Sequence, residues 1–318
     1  MWGNKRFHTL NYELKKIFGE KIYKVSLDGG FTCPNRDGTL DDRGCLFCSD
    51  KGSGEFAGDR RKSIGVQIED QLALIENKFP EGKVIAYFQN FTNTYAPIEQ
   101  LRKLYTEALS HPRVAGLAIA TRPDCLPGEV LDLLEEIGGK HFVWLELGLQ
   151  TIHERTSELI NRGYSLEKFI EASDSLKKRK IPFVTHLILG LPGESEREIL
   201  ESVRFVNKSG SWGIKLHLLH LIRGTKLHEY YKENPFLLME KDEYISLIID
   251  ILEILNPETV VHRITGDGSR DTLIGPLWSL DKRSILNGVD KGLKERNTYQ
   301  GKFYTEDSSD RNYKNPNT

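Results

Sequence analysis

Apolar, often β-branched runs recur along this chain with amphipathic segments between them, an alternation that points to repeated βα units on a parallel sheet. The runs Ile22–Leu27, Val84–Phe88, Gly116–Ala120, Phe142–Leu147, Phe183–Leu189 and Ile214–Leu221 predict strands. Their near-continuous hydrophobicity suits strands covered on both faces. Between them, Val66–Phe79, Ile98–Ser110, Glu129–Ile137, Leu166–Lys178 and Glu194–Val206 carry apolar residues at three- and four-residue steps, the pattern of helices packed on a sheet. Pro97 and Pro127 precede two of these helices, where the first N–H groups lack partners in any case. Six such units fall short of an eightfold barrel and predict an α/β fold, a partial (β/α)6 barrel whose loops at the strand C-termini build a site.

After about Gly224 the pattern breaks into a predicted helix near Lys241–Leu255, a strand at Thr259–Ile264 and a glycine-rich turn at Gly266–Gly268. The expected organisation is an N-terminal segment over 1–20, a barrel core over 21–224, a substrate-side extension closing the barrel over 225–302, and a flexible polar tail over 303–318. A chain of 318 residues with 38% hydrophobic side chains has enough apolar surface for a large core. Its 44 basic and 46 acidic residues nearly cancel, so any polyanionic partner must meet a local patch. Met1–His8 is polar and basic, and no apolar run reaches the roughly 18 residues that span a bilayer. A soluble, cytoplasmic protein with no membrane partner is expected.

Three of the four cysteines fall in one short segment after the first strand, CPNRDGTLDDRGCLFC, spaced C-x11-C-x2-C from Cys33 through Cys45 to Cys48. This is not the dense, even spacing of a secreted disulfide scaffold. Two cysteines three apart in a turn, with a third returned by a glycine-containing loop, can aim three thiolates at one point, and thiolates are the soft ligands of iron–sulfur clusters. Ordinary clusters take four cysteines; three leave one iron open to a small chelator such as the amine and carboxylate of S-adenosylmethionine (SAM). Structural zinc completed by Cys125 or a histidine and simple burial of free thiols are the alternatives. Cys125 itself reads as a small buried residue in the turn after the third strand.

The cysteine spacing, together with the strand-end segments that follow, resembles the YtqA/YhcC-like branch of the radical SAM superfamily, whose core is similar to the catalytic subunit of Elongator and to oxygen-independent coproporphyrinogen oxidase. The similarity runs from Cys33 to Leu227 and is carried by YFQNFTNTYAP, ATRPDCLP, ELGLQTIHERTSELINRG, THLILGLPGE and GIKLHLLHLIRGTKL. It implies a radical SAM barrel of TIM-like form in which Cys33, Cys45 and Cys48 hold a [4Fe-4S] cluster. SAM on the open iron is then cleaved to a 5′-deoxyadenosyl radical. By the same resemblance Gln89, Asn93 and Thr94 stand where relatives contact the SAM amine, and Gln150 would bond the ribose. Arg162 would grip the SAM carboxylate, which an arginine fork suits. Gly190 forms the adenine-side wall, His186 lies near the ribose, and the Leu221 backbone meets adenine. Alternation puts His220 and Ile222 on one face, and Arg223 faces SAM or substrate.

The segment HRITGDGSRDTLIGPLWSLDK gathers His262, Arg263, Asp267, Trp278 and Lys282 around glycines and is expected to cap the barrel. Arg223, His220 and Lys282 are the candidates for orienting an anionic substrate. The resemblance implies tRNA as that substrate, with the wobble uridine converted from its carboxymethylaminomethyl to its aminomethyl form, and an electron donor such as flavodoxin or ferredoxin. Lys282, Arg283, Lys291, Lys294, Arg296 and Lys302 beside Tyr299, with Lys5 and Arg6 between Trp2 and Phe7, suit phosphate neutralisation and base stacking on an anticodon loop. A radical SAM enzyme acting on a small metabolite or a protein, and a zinc-stabilised module without catalysis, are the competing readings.

Overall fold

The computed structural model describes residues 1–306 apart from Ser53, Glu55, Asp267, Ser269 and the Lys78 side chain. Asp267 of the expected cap and residues 307–318 of the expected tail therefore lie outside the described residues. The chain runs α1 (Leu10–Phe18), β1 (Tyr23–Leu27), α2 (Ile64–Ala73), β2 (Val84–Phe88), α3 (Ile98–Ser110), β3 (Val114–Thr121), α4 (Gly128–Gly138) and β4 (Phe142–Gln150). It continues through α5 (Glu154–Leu159), α6 (Leu166–Lys178), β5 (Phe183–Leu189), α7 (Glu196–Ser209), β6 (Gly213–Leu218), β7 (Leu221–Ile222), α8 (Lys226–Glu233) and α9 (Lys241–Ile254). It closes with β8 (Val260–Arg263), β9 (Leu273–Gly275) and α10 (Lys282–Glu295).

Seven of these strands form one parallel sheet in the order β1-β2-β3-β4-β5-β6-β8, curled into a half-barrel. The expected α/β barrel of six units is thus present, with the strand of the extension, β8, added beside β6 as a seventh. The apolar runs form strands because both faces are covered: all five residues of β2 are buried. Helices start where polar side chains cap them. Ser195 and Glu198 close a capping box on α7, and Ser63 accepts from the Val66 N–H, so α2 begins two residues earlier than its apolar pattern does. It also stops at Ala73, and a separate 3-10 turn at Glu76–Lys78 takes half of the remaining predicted helix.

The predicted strand Ile214–Leu221 is split. Its first part stays in the barrel as β6, whereas Leu221 and Ile222 leave to pair antiparallel with β9 in a separate two-stranded sheet.

Two apolar layers hold the half-barrel. One lies between the sheet and its surrounding helices, from Leu27 and Phe88 to Leu216 and Val261. The other fills the end of the barrel at the strand N-termini, where Leu14 of α1 packs on Ile85, Ala118, Trp144 and Val184. Phe142, Trp144 and Trp212 meet there at centroid distances of 5.6 to 5.8 Å, and Phe18 reaches Phe142 at 5.5 Å. This aromatic plug closes the lower end, so access is left at the strand C-termini.

Candidate active site

A cavity of about 550 Å³ opens at the C-terminal ends of the strands above the plug, and Cys33, Cys45 and Cys48 all line it. The loop that brings them together is docked on the segment after β4. The Leu46 N–H donates to the Ile160 carbonyl at 2.9 Å, Asn161 Nδ2 to the Gly44 carbonyl at 2.9 Å, and Asn35 Nδ2 to the Asn161 carbonyl at 2.7 Å. Gly44 turns at φ +73°, and a Cβ there would meet Arg36 Nε at 2.9 Å. Arg36 in turn donates to the carbonyls of Cys48 and Ser49 at 2.9 and 2.7 Å. Cys125 is buried in the turn after β3 and does not line the cavity, as expected from the sequence.

The thiol set fits a sulfur-ligated cluster. All three thiols are partly open to the cavity. Burial first, then the Cys48 thiol, with Cys33 adding and Arg122 opposing, pushes Cys45 up to about 12. The protein cations nearby are thus too weak to hold Cys45 as a thiolate, a charge that iron would supply. Asn35 Nδ2 lies 3.6 Å from Cys45 Sγ, the kind of N–H···S contact that steadies a ligating sulfur. Among the described residues no three His, Cys, Asp or Glu side chains close on a single ion-sized point.

Around the thiols the structure sorts the candidates of the sequence. Gln89, Gln150, His186 and His220 line the cavity together with Ile222. Gln150 sits at φ +61° after a register shift between β4 and β5, and its Oε1 accepts from Tyr164 Oη at 3.1 Å. Asn93 and Thr94 lie behind the wall, where Asn93 Nδ2 donates to the Ala120 carbonyl at 2.8 Å and Thr94 Oγ1 to the Cys125 carbonyl at 2.6 Å. The Gly190 turn, at φ +85°, the Leu221 backbone and Arg223 are also off the cavity lining; Arg223 is exposed and its N–H bonds the Thr272 carbonyl at 2.7 Å. Lys282 opens α10 and is likewise off the lining.

Arg162 is buried outside the lining. Its Nη1 bonds the carbonyls of Leu149 and Thr151 at 2.8 and 2.7 Å, its Nε bonds that of Tyr164 at 2.9 Å, and Nη2 lies 3.6 Å from Glu154. Arg122 does line the cavity, as do Arg36 and Arg263, and was missed in the sequence although it stands inside the ATRPDCLP segment. Burial works against its charge, but the Asp124 carboxylate, 2.7 Å away, outweighs this and keeps it cationic.

The sequence also hides the lower layer of the cavity. Lys24, Tyr87, Glu146, His186, Lys215 and Arg263 meet there, one each from β1, β2, β4, β5, β6 and β8. Glu146 is fully buried, accepts from Lys215 and from Trp144 Nε1, and lies 3.4 Å from Lys24 and 3.1 Å from His186 Nε2. Burial alone would raise this carboxyl, but Lys215, Lys24 and His186 hold it well below the ordinary carboxylate range. Burial, then Lys215, presses His186 down to about 4 against the pull of Glu146. A bulge between β6 and β8 sets Arg263 rather than His262 opposite Lys215 and aims it into this layer. His262 instead packs among Trp144 and Trp212, and Trp278 donates to the Met239 carbonyl at 3.0 Å, a structural contact. The sequence signal was a charge on the inward phase of an otherwise apolar strand, as at Lys24 and Lys215.

A parallel half-barrel with a three-thiol cavity at its strand C-termini defines an iron–sulfur enzyme class in which SAM supplies the reactive group. The sequence pattern of the radical SAM superfamily matches residues 41–206, and that of the radical SAM C-terminal domain matches 211–295. The uncharacterized protein YtqA of Bacillus subtilis is 47% identical over 300 residues, covering 94% of this chain and 93% of that protein. Protein YhcC of Escherichia coli is 37% identical, covering 89% and 91%. The solved structure of Methanocaldococcus infernus Elp3 shares the fold with a TM-score of 0.69 at 19% identity, and covers 88% of this chain and 64% of its own. This chain belongs to the radical SAM superfamily, in its YtqA/YhcC-like family, and is an enzyme that uses a [4Fe-4S] cluster and SAM.

Proposed function

We propose that this enzyme matures the side chain of a tRNA wobble uridine, taking the carboxymethylaminomethyl form to the aminomethyl form, and that its cavity is where the extruded nucleotide reacts. The supporting observation is one cavity lined by three thiols and, on its floor, by Lys24, Lys215 and Arg263. In this reading Cys33, Cys45 and Cys48 hold the cluster. SAM lies against Gln89, Gln150 and His186, which line the cavity, whereas the Gly190 turn and the Leu221 backbone stand off it. Arg122, on the wall, is better placed than Arg162 for the SAM carboxylate. When bound, cluster and SAM supply a one-electron cleavage that takes a hydrogen atom from a substrate carbon.

The chain's own residues orient and enclose. The plug of Trp144, Trp212 and α1 shuts out water from below, and Gly148 keeps the wall low, since a Cβ there would meet Gln150 Nε2 at 2.5 Å. Arg283 and Lys294 stand exposed on α10 for phosphate contact. Other basic residues of that face are partly neutralised: Lys5 pairs with Asp290, Arg296 with Asp250 at 2.5 Å, and Lys291 with Glu295 at 3.6 Å. That pairing favours, as a second reading, a small metabolite substrate in the same cavity. An electron donor of the flavodoxin or ferredoxin kind is part of either reading. Among the described residues no helix is long and apolar enough to cross a membrane.

Mass spectrometry of tRNA nucleosides from a strain lacking the gene separates the two readings. Accumulated carboxymethylaminomethyl-uridine supports the tRNA reading, and an unchanged wobble profile rejects it.

A further inference from the structure

Two lysines on the cavity floor share a single carboxylate. Lys24 of β1 and Lys215 of β6 approach one carboxylate, Glu146, at 3.4 Å and in direct hydrogen-bond contact respectively. Both ammonium groups also lie over the Tyr87 ring, at 4.7 and 4.6 Å from its centroid, so each is already drawn to an electron-rich face. Among the described residues that line the cavity, Glu146 is the one carboxylate. A cation out of water requires counter-charge, and one carboxylate balances only one of the two lysines. The strain shows at Lys215, which burial presses well below the ordinary lysine range, with Glu146 opposing and Lys24 and Arg263 adding to the fall. The histidines register the surplus: burial comes first, but the positive neighbours also press both His186 and His217 below the ordinary imidazole range. His217 Nε2 is buried on this lining with no hydrogen-bond partner.

We propose that this floor is an anion subsite that holds a carboxylate of the substrate, with Lys24 and Lys215 as its ligands. The carboxylate takes the place that Glu146 cannot fill for both lysines at once. Anchoring the acid at the floor sets the carbon next to it at a fixed depth below the thiols, and selects acids over their esters and amides. The inference rests on the proposed function in taking this cavity as the substrate site; it does not require the substrate to be RNA.

The test is calorimetric titration of the anaerobic holoenzyme with SAM and no reductant. The probes are 5-carboxymethylaminomethyl-uridine and its methyl ester, which differ only in the acid. The acid is expected to bind about tenfold more tightly than the ester. Lys24→Met should erase that difference while leaving the ester's affinity unchanged, and Lys24→Arg should keep it. Lys24 is the safer position because its side chain is 23% exposed, whereas loss of Lys215 strands the buried Glu146. Equal affinity of acid and ester for the unaltered protein overturns the subsite. If the tRNA profile is unchanged in the strain lacking the gene, N-ethylglycine and its amide decide instead: preference for the acid supports the subsite, and equal or absent binding overturns it.

Discussion

Arg122 Nη1 donates to the backbone carbonyl of Arg162 at 3.0 Å, and the two guanidinium groups lie over the same Tyr164 ring, at 4.7 and 4.8 Å from its centroid. The pair divides the work between wall and frame. Arg122 faces the cavity, whereas Arg162 ties the end of β4 to the segment that carries the cysteine loop. Arg122→Met is therefore expected to weaken SAM binding about tenfold. Arg162→Met, which abandons three buried carbonyls, should cost about 3 kcal/mol of stability. SAM affinity by equilibrium dialysis and urea unfolding of both variants check this. Unchanged SAM affinity in Arg122→Met returns the carboxylate to another donor.

The Glu146–Lys215 pair is buried on both sides, with side-chain exposures of 0% and 4%. Removing one partner leaves a buried charge, so Glu146→Gln should cost about 3 kcal/mol. Adding Lys215→Met to it should recover a large part of that loss, since two neutral groups need no counter-charge. Denaturant unfolding of the two single variants and the double variant measures the coupling. Additive losses would show that the two groups do not depend on each other.

Protonation gives a further check. His186 is held at about 4 in the folded protein, chiefly by burial, against about 6.5 in an unfolded chain. Between these values the unfolded state binds the extra proton, so stability is present above pH 6.5 and drains away as pH falls toward 4. The slope from this residue is at most about 1.4 kcal/mol per pH unit. Urea midpoints of cluster-free protein from pH 7 to 4 should fall less steeply in His186→Gln. An unchanged slope would mean that His186 is not the group responsible.

Much of the scaffold could be read from residue order alone, because a parallel strand covered on both faces leaves an uninterrupted apolar run. Val84–Phe88 and Phe183–Leu189 begin and end where that run does. Elements shaped by distant partners were not legible. α1 is a helix because Leu14 and Phe18 plug a barrel assembled from much later residues, and β7 exists only because β9 pairs with it. The same limit applies to the site. Three clustered cysteines announce themselves, but Lys24, Glu146 and Lys215 become one layer only when strands far apart in sequence are set in register. Arg122 and Arg162 look alike as letters, and only the docked Tyr164 ring separates the one on the wall from the one behind it.

In the proposed arrangement Cys33, Cys45 and Cys48, and not Cys125, hold a cluster with an iron left for SAM. Anaerobic reconstitution with iron and sulfide, followed by iron analysis and assay of 5′-deoxyadenosine from SAM and dithionite, tests it most directly. About four irons per chain and 5′-deoxyadenosine formation are expected in both the unaltered protein and Cys125→Ala, and neither in Cys45→Ala. A full iron complement in Cys45→Ala, or its loss in Cys125→Ala, would contradict it.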